Sequence, residues 1–209
     1  MDDVLVTLVA IRHGETTLNA AGRLTGQLDP PLTARGREQA VALAPVVAGA
    51  FDRRVHSGAR RAEETLRIAC EAAGLGPSVA LVADPRWRER SFGALEGEPA
   101  GGWVQPVDVD AAPPGGESYR ALGLRVLAAL DALREEALRA GRPLRVLLCA
   151  HSGVLRMLSG IADDAPDIAA VLGPSARNGE ARELAYAAPR MPRFLSSSSA
   201  TSTEATRES

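Results

Sequence analysis

The sequence contains no apolar run approaching the ~20 residues that a membrane-spanning helix needs, so no membrane partner is expected. Aromatic residues make up only 3% of the chain, and the core must therefore be built from Leu, Val and Ala. There are two cysteines, Cys70 and Cys149. Both stand in apolar surroundings without CxxC spacing, so they read as buried reduced thiols and not as a disulfide framework. Charge of one sign is also missing. The net charge of −2 gives no global pull toward nucleic acid or acidic membranes, and any affinity for anions has to come from a local cluster of arginines. No basic region stands ahead of the first apolar stretch, because the chain begins Met1-Asp2-Asp3, which argues against a secretory signal. A cytoplasmic location is expected.

What is present is ordinary for a single soluble domain: 209 residues, 45% hydrophobic and 24% charged, enough to bury a substantial core. Val4 to Val9 is apolar and β-branched and predicts a buried strand. Ala20 to Pro31, rich in Gly, Asp and Pro, predicts a loop. Thr33 predicts an N-cap for a helix continuing to Gly49, with Ala40, Leu43, Ala44 and Val47 at helical spacing. Arg53 to Val55 predicts a short strand, Arg60 to Ala73 a helix, and Val79 to Ala83 a third strand. Residues 97 to 116 carry several Gly and Pro and read as an irregular insertion or lid. Glu117 to Ala140 is the longest helical pattern. Leu144 to Ala150 is nearly all apolar, as a central parallel strand should be. An apolar helix from Val154 to Ile161 and a last strand from Arg182 to Ala187 follow. The expected domain spans residues 1–190, and the Ser- and Thr-rich stretch 191–209 reads as a disordered tail. Strands alternating with helices predict a three-layer α/β/α sandwich around a mostly parallel sheet.

The chemistry concentrates where two of these strands end. Arg12-His13-Gly14-Glu15-Thr16 directly follows the first, and His151-Ser152-Gly153 directly follows the central one. If the two strands are neighbours, both imidazoles emerge at one sheet edge, where open α/β sheets place their ligands. Neutral imidazole is a nucleophile, guanidinium is a planar fork matched to phosphate oxygens, and glycine lets backbone approach a ligand. That combination suits phosphoryl transfer to histidine. A zinc site would need a third ligand at a spacing such as HExxH; there is none, and the arginines would repel a cation. His56 also ends a short strand but is as readily a packed or surface residue.

Several blocks in sequence order resemble the histidine phosphatase superfamily, the phosphoglycerate-mutase-like enzymes. Arg12 to Thr16 with Asn19 resembles the nucleophile motif, and Gly22 to Gly26 and Asp29 to Gly36 the loop and helix start behind it. Ser57 to Thr65 resembles the block with a second phosphate-binding arginine, and Glu89 to Gly97 the block with the acidic residue. Pro114 to Ser118 is similar to a motif of the phosphatase branch, and Ala150 to Gly153 matches the second histidine. The resemblance implies His13 as the nucleophile that becomes phosphohistidine, with Arg12, Arg61 and His151 around the phosphoryl group and Asn19 as a further donor. Glu89 would give a proton to the leaving oxygen. Ala62 and Thr65 select Arg61 over its neighbour Arg60. Thr25 and Gly26 resemble a substrate-contacting pair of the mutase branch. Ser152 stands where glycine is frequent and would touch substrate or cap the following helix, and Leu18 replaces a frequent aromatic. The implied activity is a phosphatase acting on a small phosphorylated metabolite, without metal or cofactor. A phosphoglycerate-type mutase, an enzyme acting on protein phosphohistidine or phosphotyrosine, and a non-catalytic binder of phosphorylated ligands are the alternatives. A homodimer is left open.

Overall fold

The computed structural model describes residues 5–102, 108–173, 176–187 and 191–196. Residues 1–4, the middle of the expected insertion and the tail beyond Ser196 lie outside the described residues. Strand β1 (Val6–Arg12) is an interior strand of the sheet. It alternates its side chains between two apolar layers. Val6, Leu8 and Ala10 enter one cluster, and Val9 and Ile11 enter the other. A strand with both faces covered must be apolar at consecutive positions, which is the pattern read from the sequence.

The remaining elements, in chain order, are α1 (Thr17–Ala20), α2 (Ala34–Ala42), α3 (Ala44–Val47), β2 (Arg53–His56), α4 (Arg60–Ala72), β3 (Val82–Ala83), α5 (Tyr119–Ala140), β4 (Leu144–Ala150), α6 (Ser152–Ala162), α7 (Ile168–Val171), β5 (Ala181–Tyr186) and α8 (Arg193–Ser196). The five strands make one sheet in the order β3-β2-β4-β1-β5. All pairings are parallel except that of β1 with β5. Helices α5 and α6 supply one layer, with Leu122, Val126, Leu130, Val154 and Leu155 packed on Val146 and Leu148. Helices α3 and α4 contribute to the other, where Val47, Leu66 and Cys70 meet Leu147 and Cys149. Burying each such leucine contributes about 1.5–3 kcal/mol. Cys70 and Cys149 are buried free thiols in this second layer. The architecture is the expected α/β/α sandwich with a mostly parallel sheet.

The helix expected to run unbroken to Gly49 is interrupted. Pro45 lacks the N–H that a continuous helix requires, and the chain restarts as α3 with this proline in its first turn. The third strand is reduced to Val82–Ala83, paired with Val55 and His56. Two short helices escaped the pattern. Thr16 and Asn19 close a reciprocal capping box on α1, and Asp167 caps α7. The tail was expected to begin at Met191, yet Phe194 and Leu195 on α8 are 0% and 3% exposed and belong to the core under α5. Two large apolar residues within an otherwise polar stretch suffice to dock that turn.

Candidate active site

The register of β1 on β4 pairs Arg12 with Ala150, so both strands end at one edge. The His13 amide donates to the Ala150 carbonyl at 3.1 Å. The His13 and His151 ring centroids are 5.1 Å apart with planes inclined at 61°. One strand further out, His56 lies opposite Cys149, and the next residue, Ser57, places its Oγ 2.7 Å from His151 Nε2. The backbone beyond β1 crosses the start of α2 very closely: a Cβ on Gly14 would lie 2.3 Å from the Gly36 carbonyl oxygen. Glycine at both positions permits the crossing. The Gly14 amide is tied to α4 by donating to Thr65 Oγ1 at 3.0 Å.

His13 is 3% exposed. Its Nδ1 donates to the Gly14 carbonyl oxygen at 2.8 Å. A carbonyl only accepts, so Nδ1 carries the proton and the Nε2 lone pair is left for chemistry. Burial first, and then the Arg61 guanidinium, push the His13 pKa down to about 3, with Arg12 acting in the same direction. His151 is pushed below its ordinary value by burial and then by Arg61, His13 and Arg12. Both imidazoles are therefore neutral at neutral pH.

Arg61, on the first turn of α4, is 2% exposed. Its Nη1 donates to the Leu28 carbonyl at 2.7 Å and Asp29 Oδ1 at 3.2 Å, and Nη2 donates to the Gly26 carbonyl at 2.9 Å. Asp29 also accepts from the Arg60 and Arg61 amides at 2.6 and 3.2 Å. This carboxylate caps a helix whose own N-cap, Ala59, has no side-chain oxygen to offer. Arg12 is anchored through Nη1 on the Ala176 carbonyl at 2.7 Å. Glu89 lies at the N-terminus of α6, where both its oxygens accept from the Gly153 amide at 3.1 Å. A Cβ on Gly153 would stand 2.3 Å from Glu89 Oε1, so glycine makes room for the carboxylate. Arg125 of α5 fixes the Glu89 segment from behind by donating to the Arg86 and Arg88 carbonyls at 2.7 and 2.8 Å.

Arg12, His13, Asn19, Thr25, Gly26, Arg61, Glu89 and Ser152, all singled out in the sequence, line one cleft of about 260 Å³. His151 is not on its wall. It is fully buried, against His13. Asn19 has a structural duty as well: its Oδ1 accepts from the Thr16 amide at 3.2 Å, and its Nδ2 donates to Thr25 Oγ1 at 3.4 Å. Ser152 is the first residue of α6. Arg23, Arg90, Tyr119 and Arg156 also line the cleft, and sequence reasoning missed them. Arg156 is four residues after Ser152 on the same helix, a spacing that shares a face and could have identified it. Arg90, adjacent to Glu89, holds its guanidinium 3.8 Å from the Tyr119 ring centroid. Asn178, from a distant loop, donates to the His13 carbonyl at 2.9 Å, and no local signal announces it. Among the described residues, no three His, Cys, Asp or Glu side chains cluster as metal ligands would.

Residues 8–170 match the pattern of the histidine phosphatase superfamily (branch 1). A 2,3-bisphosphoglycerate-dependent phosphoglycerate mutase of Gloeobacter violaceus is 33% identical over 169 residues, 74% of each chain. The solved structure of a mycobacterial glucosyl-3-phosphoglycerate phosphatase superposes with a TM-score of 0.73 at 29% identity, covering 85% of this chain and 90% of that one. A phosphoglycerate mutase from Bacillus anthracis superposes with a TM-score of 0.74 at 26% identity, covering 88% and 89%.

Proposed function

The chain belongs to the histidine phosphatase superfamily, and from that premise we propose that it is a metal-independent phosphomonoesterase acting on a small phosphorylated metabolite. The observation that carries the reading is the state of His13: buried, neutral, with Nδ1 engaged and Nε2 available in the field of Arg61 and Arg12. In the proposed reaction Nε2 attacks phosphorus and the P–O ester bond breaks. Glu89 gives a proton to the departing oxygen. Water then attacks the phosphohistidine, the N–P bond breaks, and Glu89 recovers a proton from that water. Arg12 and Arg61 on the cleft wall hold the equatorial oxygens, on which the transferring group spreads its charge, and His151, buried against His13, completes that set from behind the wall. Such positioning and electrostatic stabilisation account for most catalysis of phosphoryl transfer. The additional arginines of the cleft, Arg23, Arg90 and Arg156, favour a substrate that is acidic beyond its reacting phosphate.

A mutase is the second reading. It is supported by the names of the relatives and by Thr25 and Gly26 at the cleft. The test of the main proposal is phosphate release from a broad panel of phosphorylated metabolites in excess chelator, with trapping of the phosphoenzyme. Turnover should persist with chelator, and an acid-labile phosphoenzyme should form and be absent in His13→Ala. Loss of all turnover on chelation, restored by zinc or magnesium, would overturn it.

A further inference from the structure

We propose that Ser57 is a positioning residue that decides which ring nitrogen of His151 carries the proton, and so turns an N–H of that ring toward the phosphoryl group on His13. The inference rests on the phosphoryl-transfer reading of the cleft. Ser57 is fully buried. Its own amide donates to the Cys149 carbonyl at 3.3 Å, which continues the β2–β4 ladder by one residue and fixes Ser57 beside His151. Its Oγ accepts from the Ala59 amide at 3.3 Å and lies 2.7 Å from His151 Nε2. With one lone pair occupied by that amide, the hydroxyl still has a proton to place. Among the described residues, the imidazole is its acceptor. Were Nε2 protonated, the second lone pair of the hydroxyl would accept from it and the hydroxyl proton would be left without an acceptor among the described residues. Donation from Ser57 Oγ–H to Nε2 avoids this, and the proton of the neutral ring then resides on Nδ1.

His151 Nδ1 is buried and has no hydrogen-bond partner among the described residues. A buried donor left unpaired costs about 1–3 kcal/mol and calls for a ligand to complete it. The reacting phosphoryl group is that ligand, since the His151 ring stands against His13. Tautomer matters here because the ring is neutral: burial and the flanking Arg61 disfavour the doubly protonated form, in which both nitrogens would donate. With the proton on Nε2, a lone pair would meet the phosphoryl oxygens and repel them.

The experiment is long-range ¹H–¹⁵N correlation of the histidine rings at neutral pH, with and without inorganic phosphate, together with steady-state kinetics on p-nitrophenyl phosphate. In the unaltered protein His151 should be protonated at Nδ1, and phosphate should shift that resonance. In Ser57→Ala, checked for folding by its melting curve, the Nδ1–H form should lose its dominance. Its kcat should fall on the order of 10- to 100-fold, as for other supporting hydrogen bonds, with KM changed less than about threefold. Protonation of His151 at Nε2 in the unaltered protein would overturn the proposal without need of any variant. So would an unchanged tautomer and kcat in Ser57→Ala. Absence of turnover on every ester in the unaltered protein, with the tautomer as assigned, would instead sink the phosphatase reading.

Discussion

A neutral His13 is useful for attack on phosphorus and a liability in acid. Its pKa is pushed from an ordinary 6.5 to about 3 in the folded protein. Between those values the unfolded chain binds a proton that the folded chain refuses, so stability is full above about pH 6.5 and falls as the pH drops toward 3. The slope is about 1.4 kcal/mol per pH unit for each such histidine, and His151, lowered for the same reasons, steepens it. Urea midpoints measured from pH 7 to pH 4.5 should decline accordingly. They should decline less steeply in His13→Gln, which removes one of the refused protons and leaves those of His151 and His56, the latter also lowered by burial; parallel profiles would contradict the assignment. Glu89→Gln tests the proposed proton donor, because it preserves shape and a hydrogen bond to the Gly153 amide. On alkyl phosphates kcat should drop on the order of 10²–10⁴-fold. On p-nitrophenyl phosphate, whose leaving group barely needs a proton, it should change little. Equal losses on the two esters would argue against general-acid catalysis.

At the scale of elements, the site is made by the ends of β1, β4 and β2 and the first turns of α4 and α6. Gly153 shows how such a junction works. An added Cβ would clash with the tip of the Glu89 carboxylate and make only ordinary contact with Leu122, so Gly153→Ala should displace the carboxylate while leaving the helix able to form. Its kcat should fall to the level of Glu89→Gln with a melting temperature within a few degrees of the parent; a fully active Gly153→Ala would show that Glu89 acts from another position. These junctions were legible in the sequence because their residues are contiguous with strands of unmistakable apolarity, as His13 is with Val6–Arg12. Asn178 and Tyr119 were not, since one braces His13 and Asn19 from a distant loop and the other joins the cleft wall from the start of α5. Pro45 was a local signal that the helical spacing around it outweighed. Phe194 was hidden by its neighbours: four serines in succession after it made the whole segment look unable to bury anything. Phe194→Ala should cost about 3–5 kcal/mol, read as a drop in the denaturation midpoint; a neutral result would detach α8 from the core.

For the molecule as a whole, hydrolase and mutase share the nucleophile, the arginines and the acid, and differ in what covers the phosphohistidine. A mutase must hold off water until a second hydroxyl collects the phosphoryl group. It therefore needs a closed site with cations enough for a substrate bearing two acidic groups. This cleft has cations beyond Arg12 and Arg61, but they come from its walls: Arg23 from the loop after α1, Arg90 beside Glu89, and Arg156 on α6. Residues 98–116, of which Ala100 lines the cleft, contain no Arg or Lys and carry Glu98, Asp108 and Asp110. Asp110 is compensated by Arg120 at 2.6 Å, which reduces repulsion of an anion and still supplies no donor to one. On the proposed reading the arginines of the walls recognise an acidic monoester, while the composition of residues 98–116 offers no cation to clamp a second phosphate. With 3-phosphoglycerate and catalytic 2,3-bisphosphoglycerate, exchange between the 2- and 3-phospho isomers should be slower than phosphate release from the best monoester of the panel. Introducing an arginine at Ala111, on this segment, should raise the ratio of exchange to release if enclosure is what separates the two activities. Rapid bisphosphoglycerate-dependent exchange by the unaltered protein, with no net phosphate release, would assign the cleft to a mutase, and its closing cations would then have to be sought among the arginines of the walls.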